Sequence, residues 1–100
     1  MSPRIPIDHS RIADFCRRWQ IQELSLFGSV LREDFRPDSD VDVLVAFAPS
    51  AHWSLGDWVC MQEDLESLLG RKVDLVEMTG LRNPFRRYAI LRSRQVLYAA

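Results

Sequence analysis

An α/β fold is the class this sequence predicts, and three observations predict it. Apolar residues recur at helical spacing in two long stretches, short Val-rich runs read as buried strands, and Gly, Pro, Asn and Ser punctuate the boundaries between them. Helix and strand alternate along 100 residues without an internal repeat, a low-complexity segment or a linker. One domain, residues 1–100, is therefore expected.

The elements follow in order. Ile12, Phe15, Cys16 and Trp19 stand at i, i+3, i+4 and i+7, which gives one apolar stripe on a helix from about His9 to Gln20, with Asp8 as its N-cap. Glu23 to Phe27 reads as a short strand that ends at Gly28-Ser29, and a short helix from Ser29 to about Asp34 is expected next. Pro37-Asp38-Ser39 is a turn cluster, and Val41 to Phe47 a buried strand that Pro49-Ser50 breaks. Ser54, with Asp57 three residues on, can cap a second long helix in an approximate capping box. Leu55, Trp58, Met61, Leu65 and Leu68 or Leu69 carry its apolar face, and Gly70 ends it. Val73 to Glu77 is a third strand, Asn83-Pro84 can open a last helix, and Gln95 to Tyr98 a final short strand.

Composition narrows the function. Hydrophobic residues make up 47% of the chain, enough for a core, but so small a domain covers little of its own surface, so size alone leaves room for an oligomer or a partner chain. A net charge of -1 argues against a dedicated duplex-binding protein. Residues 81–100 nevertheless carry Arg82, Arg86, Arg87, Arg92 and Arg94 and no acid, which reads either as a solvated basic face or as a docking surface for an acidic partner or phosphates. Cys16 and Cys60 form no CxxC and sit within helical patterns, so buried free thiols in a reducing cytoplasm are expected. The start of the chain lacks the apolar run of a signal peptide, and no stretch reaches the length of a membrane span.

The chemistry concentrates in Gly28-Ser29, ten further residues, and then Asp40-Val41-Asp42. Strand side chains alternate, so Asp40 and Asp42 project to one side at the start of the second strand. Two carboxylates held side by side repel each other, and a cation relieves that cost; oxygen-only ligands suit magnesium or manganese. Asp74 interrupts the apolar run Val73 to Val76 and reaches the same position if the third strand lies beside the second. Three carboxylates can hold two divalent ions roughly 3.5–4 Å apart. Gly28 permits a sharp turn and a close backbone approach to a phosphate, and Ser29 opens a helical turn whose N–H groups can bind phosphate oxygens. Arg32, one turn on, can reach the same anion, and Ser39 can orient Asp40 or touch the phosphates. Read singly, each feature is ordinary: a turn, a loop acid, an ion pair with Arg71 or Lys72. Their combination in a strand–turn–helix–turn–strand order points to metal–nucleotide geometry. His9 and His52 read as surface residues, and Trp19 and Trp58 as core. Trp53, just before the Ser54 cap, is the better candidate for a base or partner contact. Tyr88 and Tyr98 are hydroxyls that nothing nearby activates.

The run Leu26-Phe27-Gly28-Ser29, with Asp40-Val41-Asp42-Val43-Leu44-Val45 after the ten-residue gap and Gly70 to Val76 further on, resembles the DNA polymerase β-type nucleotidyltransferase superfamily, and within it the minimal nucleotidyltransferases. The resemblance implies a mixed sheet flanked by helices, ATP as substrate, and two magnesium ions held by Asp40, Asp42 and Asp74. Gly28 and Ser29, with Arg32, would sit on the nucleotide phosphates. It also implies a HEPN-domain partner, a helical RNase-type toxin, to whose tyrosine AMP is transferred. Val30 departs from relatives that carry a basic residue just after Gly-Ser. Two other readings stand beside this one: a non-catalytic antitoxin that covers its toxin, and adenylylation of a small molecule such as an aminoglycoside.

Overall fold

The computed structural model describes residues 5, 7–31, 36 and 39–100. Helix α1 (His9–Arg18) leads into strand β1 (Ile21–Phe27) and a 3-10 turn (Gly28–Leu31). Strand β2 (Val41–Phe47), helix α2 (Leu55–Leu69) and strand β3 (Val73–Glu77) follow. A second 3-10 turn (Met78–Gly80), helix α3 (Pro84–Ser93) and strand β4 (Gln95–Ala99) complete the order. The sheet order is β3-β2-β1-β4, with β2 parallel to β3 and β1 antiparallel to both of its neighbours. The expected mixed sheet with flanking helices is thus present.

Local chemistry sets the start of each α-helix, and the end of α2, where the sequence placed them. Asp8 accepts from the Arg11 N–H at 3.1 Å and caps α1. Ser54 and Asp57 form a reciprocal capping box at the start of α2, at 3.1 and 3.0 Å, and Gly70 closes α2 in the left-handed region. Asn83 caps α3, and Pro84 stands at its first position. The first helix stops at Arg18 rather than Gln20, because the chain turns at Gln20 with φ 56° and β1 begins at once. That strand starts two residues before the expected Glu23, since Ile21 already pairs with Phe47. The predicted helix after Ser29 is a 3-10 turn as far as Leu31; Asp34, Pro37 and Asp38 lie outside the described residues. Ser54→Ala removes one half of the capping box. It is expected to cost about 1 kcal/mol, read as a lower urea midpoint with an unchanged m-value.

The two faces of the sheet differ. One carries Leu24, Leu26, Val41, Val43, Val45, Val73 and Leu75 and packs with Ile12, Phe15 and Cys16 of α1 and Met61, Leu65 and Leu69 of α2. The other carries a smaller cluster in which Phe27 and Leu44 meet Leu81 and Ile90, with Val76, Met78 and Leu91 around them. Helix α3 therefore covers only part of this second face. Three expectations fail on packing grounds. Leu55 is 82% exposed, because the first residue of α2 overhangs the end of the sheet and has no core beneath it. Cys60 is exposed, because it falls on the outer stripe with Glu63 and Ser67, about 100° around the helix from Met61. Trp53 packs edge-on against Trp19 and Phe47, with ring centroids 5.3 and 6.4 Å away, so it serves the core rather than a base or partner.

Cys16 is buried as expected, and burial pushes its thiol up to about 12, with nearby Arg17 opposing the shift. Native protein at pH 8 is accordingly expected to give one thiol per chain with a disulfide reagent, rising to two in denaturant. A thiol raised in the folded state binds more protons there than in the unfolded chain. Its contribution to stability is whole below about pH 9 and is lost as pH climbs toward 12.

Candidate active site

Strand alternation and register build the site. In β2 the odd-numbered residues Val41, Val43 and Val45 are buried on the two-helix face, so Asp42 emerges on the other. The parallel ladder pairs Asp42 with Asp74 as direct Cα partners, between Val41↔Val73 and Val43↔Leu75. Neighbouring strands lie about 4.8 Å apart, so the two acids stand side by side on one face. Asp40 lies two residues before Asp42, just ahead of the strand, and is exposed, as is Asp74; Asp42 is half-buried. Two hydrogen bonds hold this level of the sheet. The Val41 N–H donates to the Lys72 carbonyl at 2.9 Å, and the Val73 N–H donates to Glu66 Oε2 at 3.0 Å. Glu66, in the last turn of α2, thereby fixes the start of β3 and the position of Asp74. Nothing in its sequence context distinguishes it from a solvated helix residue.

Gly28 completes the core of the site for a reason the sequence did not supply. Phe27 pairs with Asp42 across the antiparallel ladder, which brings the next residue over the Asp42 side chain. Gly28 has φ +76°, and a β-carbon there would overlap the Asp42 carboxylate oxygen Oδ2. The glycine is needed first for the acid, before any phosphate. Ser29 lies in the 3-10 turn, but its side chain and all of Arg32 fall outside the described residues. Ser39 is engaged locally: its N–H donates to the Arg36 carbonyl at 3.0 Å, and its Oγ accepts from the Arg36 N–H at 3.3 Å. Val30 is fully buried in the main core, so the residue that departs from the basic pattern fills the interior.

The donor set fits a hard divalent cation: all oxygen, on one face, with two members at the same level of adjacent strands. Among the described residues, no group of three or more His, Cys, Asp or Glu is gathered as a ligand cage. A cavity of about 710 Å³ lies elsewhere, at the far end of β2 and β3, between the start of α2 and the residues after β3. Phe47, Trp58, Glu77 and Arg87 are among its walls, and none of the three acids reaches it.

Comparison with known proteins places this geometry. The family described as nucleotidyltransferase domain matches residues 10–97. The protein adenylyltransferase MntA of Thermococcus cleftensis is 37% identical over 81 residues, which span 81% of this chain and 77% of that one. A solved structure described provisionally as a minimal nucleotidyltransferase is 37% identical, with TM-score 0.71 over 87% of this chain and 86% of that one. The MNT antitoxin complex with a tri-AMPylated HEPN toxin of Shewanella oneidensis gives TM-score 0.64 at 19% identity, over 92% of this chain and 70% of that one, a likeness of fold. Among the described residues, no helix is long and apolar enough to cross a membrane. With its family match across most of the chain and its paired acids beside a glycine turn, the protein belongs to the nucleotidyltransferase domain family.

Proposed function

We propose that this chain transfers AMP from ATP to a hydroxyl of a partner protein, a tyrosine of a HEPN-type toxin, and so acts as its antitoxin. The observation that carries the reading is the Asp42–Asp74 pairing beside Gly28, in a chain 37% identical to a protein adenylyltransferase. The AMPylated toxin bound to a similarly folded antitoxin supports the choice of acceptor class.

The chain's own residues have distinct parts in this reaction. Asp40, Asp42 and Asp74 would hold magnesium, or manganese; when bound, the ions supply the positive charge that a triphosphate and its leaving pyrophosphate require. Asp42 sits between the other two acids, locked by Gly28 above and the β2–β3 ladder beside it. Asp74, on the exposed edge strand, stands where an incoming hydroxyl can approach and can take its proton. Gly28 and Ser29, with Arg32 and Ser39, are the residues that would contact the phosphates. The acceptor oxygen must come within about 3–3.5 Å of the α-phosphate for in-line attack. A phenol suits the role because it ionises more readily than an aliphatic hydroxyl.

The test searches the neighbouring reading frames for a HEPN-type helical protein, incubates it and this chain with ATP and magnesium, and measures the partner's intact mass. Whole-AMP increments on a tyrosine, absent with EDTA, are the expected result. A partner that binds but keeps its mass would remove the catalytic reading and leave a non-catalytic antitoxin. Calorimetry should also show ATP binding that weakens when magnesium is withheld and when Asp40 is replaced by Ala.

A further inference from the structure

The outer surface of α3 is unusual for a helix of a small domain. Phe85 is 85% exposed and Tyr88 65%. They stand at i and i+3, and Arg92 follows at i+7, so the three form one stripe. Ile90 and Leu91, which pack on the sheet, lie on the other side of the helix. Large aromatics left in water at helical spacing mark an interaction surface.

Charge says what the surface fits. All fourteen acidic residues of the chain precede position 81, and every charged residue after it is an Arg. Arg94 is already used, in an ion pair with Glu23. Arg82, Arg86, Arg87 and Arg92 make no ion pair among the described residues. Arg87 shares the inner side of α3 with Ile90 and Leu91 and lines the 710 Å³ cavity, whose opposite wall includes Leu55 and Trp58 of α2. Helix α3 thus carries an aromatic stripe and unpaired guanidiniums outward and, through Arg87, borders the cavity on its inner side.

Position relates this surface to the acids. Through Ile90, α3 packs on Phe27 and Leu44, and Phe27 is the direct ladder partner of Asp42. A protein seated on α3 therefore lies on the same side of the sheet as Asp42 and Asp74. We propose that the α3 surface docks an acidic segment of the partner protein, with its carboxylates on Arg82, Arg86 and Arg92 and an apolar anchor against Phe85 and Tyr88. This rests on the reading above that the acceptor belongs to a partner protein. Two α3 surfaces repel each other, which disfavours a symmetric pair of this chain through them. The overall charge of -1 favours an acidic protein over a nucleic acid.

The experiment titrates a HEPN-type helical protein, found by the same search of the neighbouring reading frames, into wild type, R82E/R86E/R92E and F85A/Y88A by calorimetry at 50 and 300 mM NaCl. All five positions are exposed, so the folds should persist, and magnesium–ATP binding serves as the check. Charge reversal is expected to weaken binding about 100-fold at low salt and to flatten its salt dependence. Loss of the two aromatics should weaken it about tenfold at both salts. Unchanged affinity in both variants overturns the proposal. So does a labelled single-stranded RNA that binds wild type more tightly than the protein does and is lost in the same variants, or self-association lost in them. If wild type binds through α3 but transfers no AMP, the docking surface stands and the catalytic reading falls. If transfer persists with the variants binding as wild type does, the reverse holds.

Discussion

Replacing Asp42 with Asn is expected to lower AMP transfer by about 10³-fold while leaving the fold in place. The change is nearly isosteric, so the side chain still fits beneath Gly28 and beside Asp74. What is lost is the negative charge with which this position would hold a cation in the proposed reaction. Losing one group that stabilises developing charge costs up to about 4 kcal/mol, which at 1.36 kcal/mol per decade gives that factor. Stability should move little, by about 4 °C or less in Tm, and upward if the main effect is relief of repulsion between Asp42 and Asp74. The check is a time course of AMP incorporation beside a thermal melt of the same preparation. A variant that melts as wild type does and retains more than a tenth of its rate would contradict Asp42 as a ligand. Asp40→Asn and Asp74→Asn should each impair turnover, and the double variants should lose little more than the worst single one, because the acids act as one unit.

Gly28→Ala is expected to be the most destabilising conservative change in the site, about 2–3 kcal/mol, or roughly 10–20 °C in Tm. Two costs combine. A residue with a β-carbon in the left-handed region costs about 1–2 kcal/mol, and the new methyl must also displace the Asp42 carboxylate. Gly70 provides the control. It has nearly the same backbone, φ +70° against +76°, but nothing stands within 4 Å of its missing β-carbon. Gly70→Ala should therefore carry the backbone cost alone, and the difference between the two variants measures the contact with Asp42. Equal losses would mean that the carboxylate is not held there. Combining Gly28→Ala with Asp42→Ala should recover the excess, since the overlap then disappears; a sum of the single effects would argue against direct contact. Turnover in Gly28→Ala should fall further than its stability requires, because the displaced group is the central ligand of the proposed site.

The two signatures of the candidate site meet through the sheet. Gly28-Ser29 and Asp40-Val41-Asp42 are separated by a connection of which only part is described, yet they are locked by a ladder that pairs Phe27 with Asp42. The second locking point is Glu66, whose carboxylate takes the Val73 N–H. Its loss would leave that N–H without its carboxylate acceptor and loosen Asp74 without touching any reacting atom.

Sequence alone determined the order and nearly all the boundaries of the elements, because those rest on local chemistry: the Asp8, Ser54 and Asn83 caps, the Gly70 stop, Pro84 at a first turn, and the 3.6- and 2-residue periods. It also singled out Asp40, Asp42 and Asp74, since a charge inside or beside a Val-rich strand contradicts its surroundings and needs a reason. Tertiary structure decided the rest. Whether Asp74 stands beside Asp42 depends on β3 pairing parallel to β2 in one register, a contact between residues 32 positions apart that no local pattern encodes. Why residue 28 must be glycine depends on which side chain the ladder brings over it. Leu55 and Cys60 were misjudged because a helical stripe tells which residues share a side, not how far the core extends beneath them or where the sheet ends. The exposure of Phe85 and Tyr88 was settled in the same way: α3 needs only Ile90 and Leu91 to sit on the sheet, and its aromatic stripe faces outward because the second face of so small a sheet has nothing further to cover it.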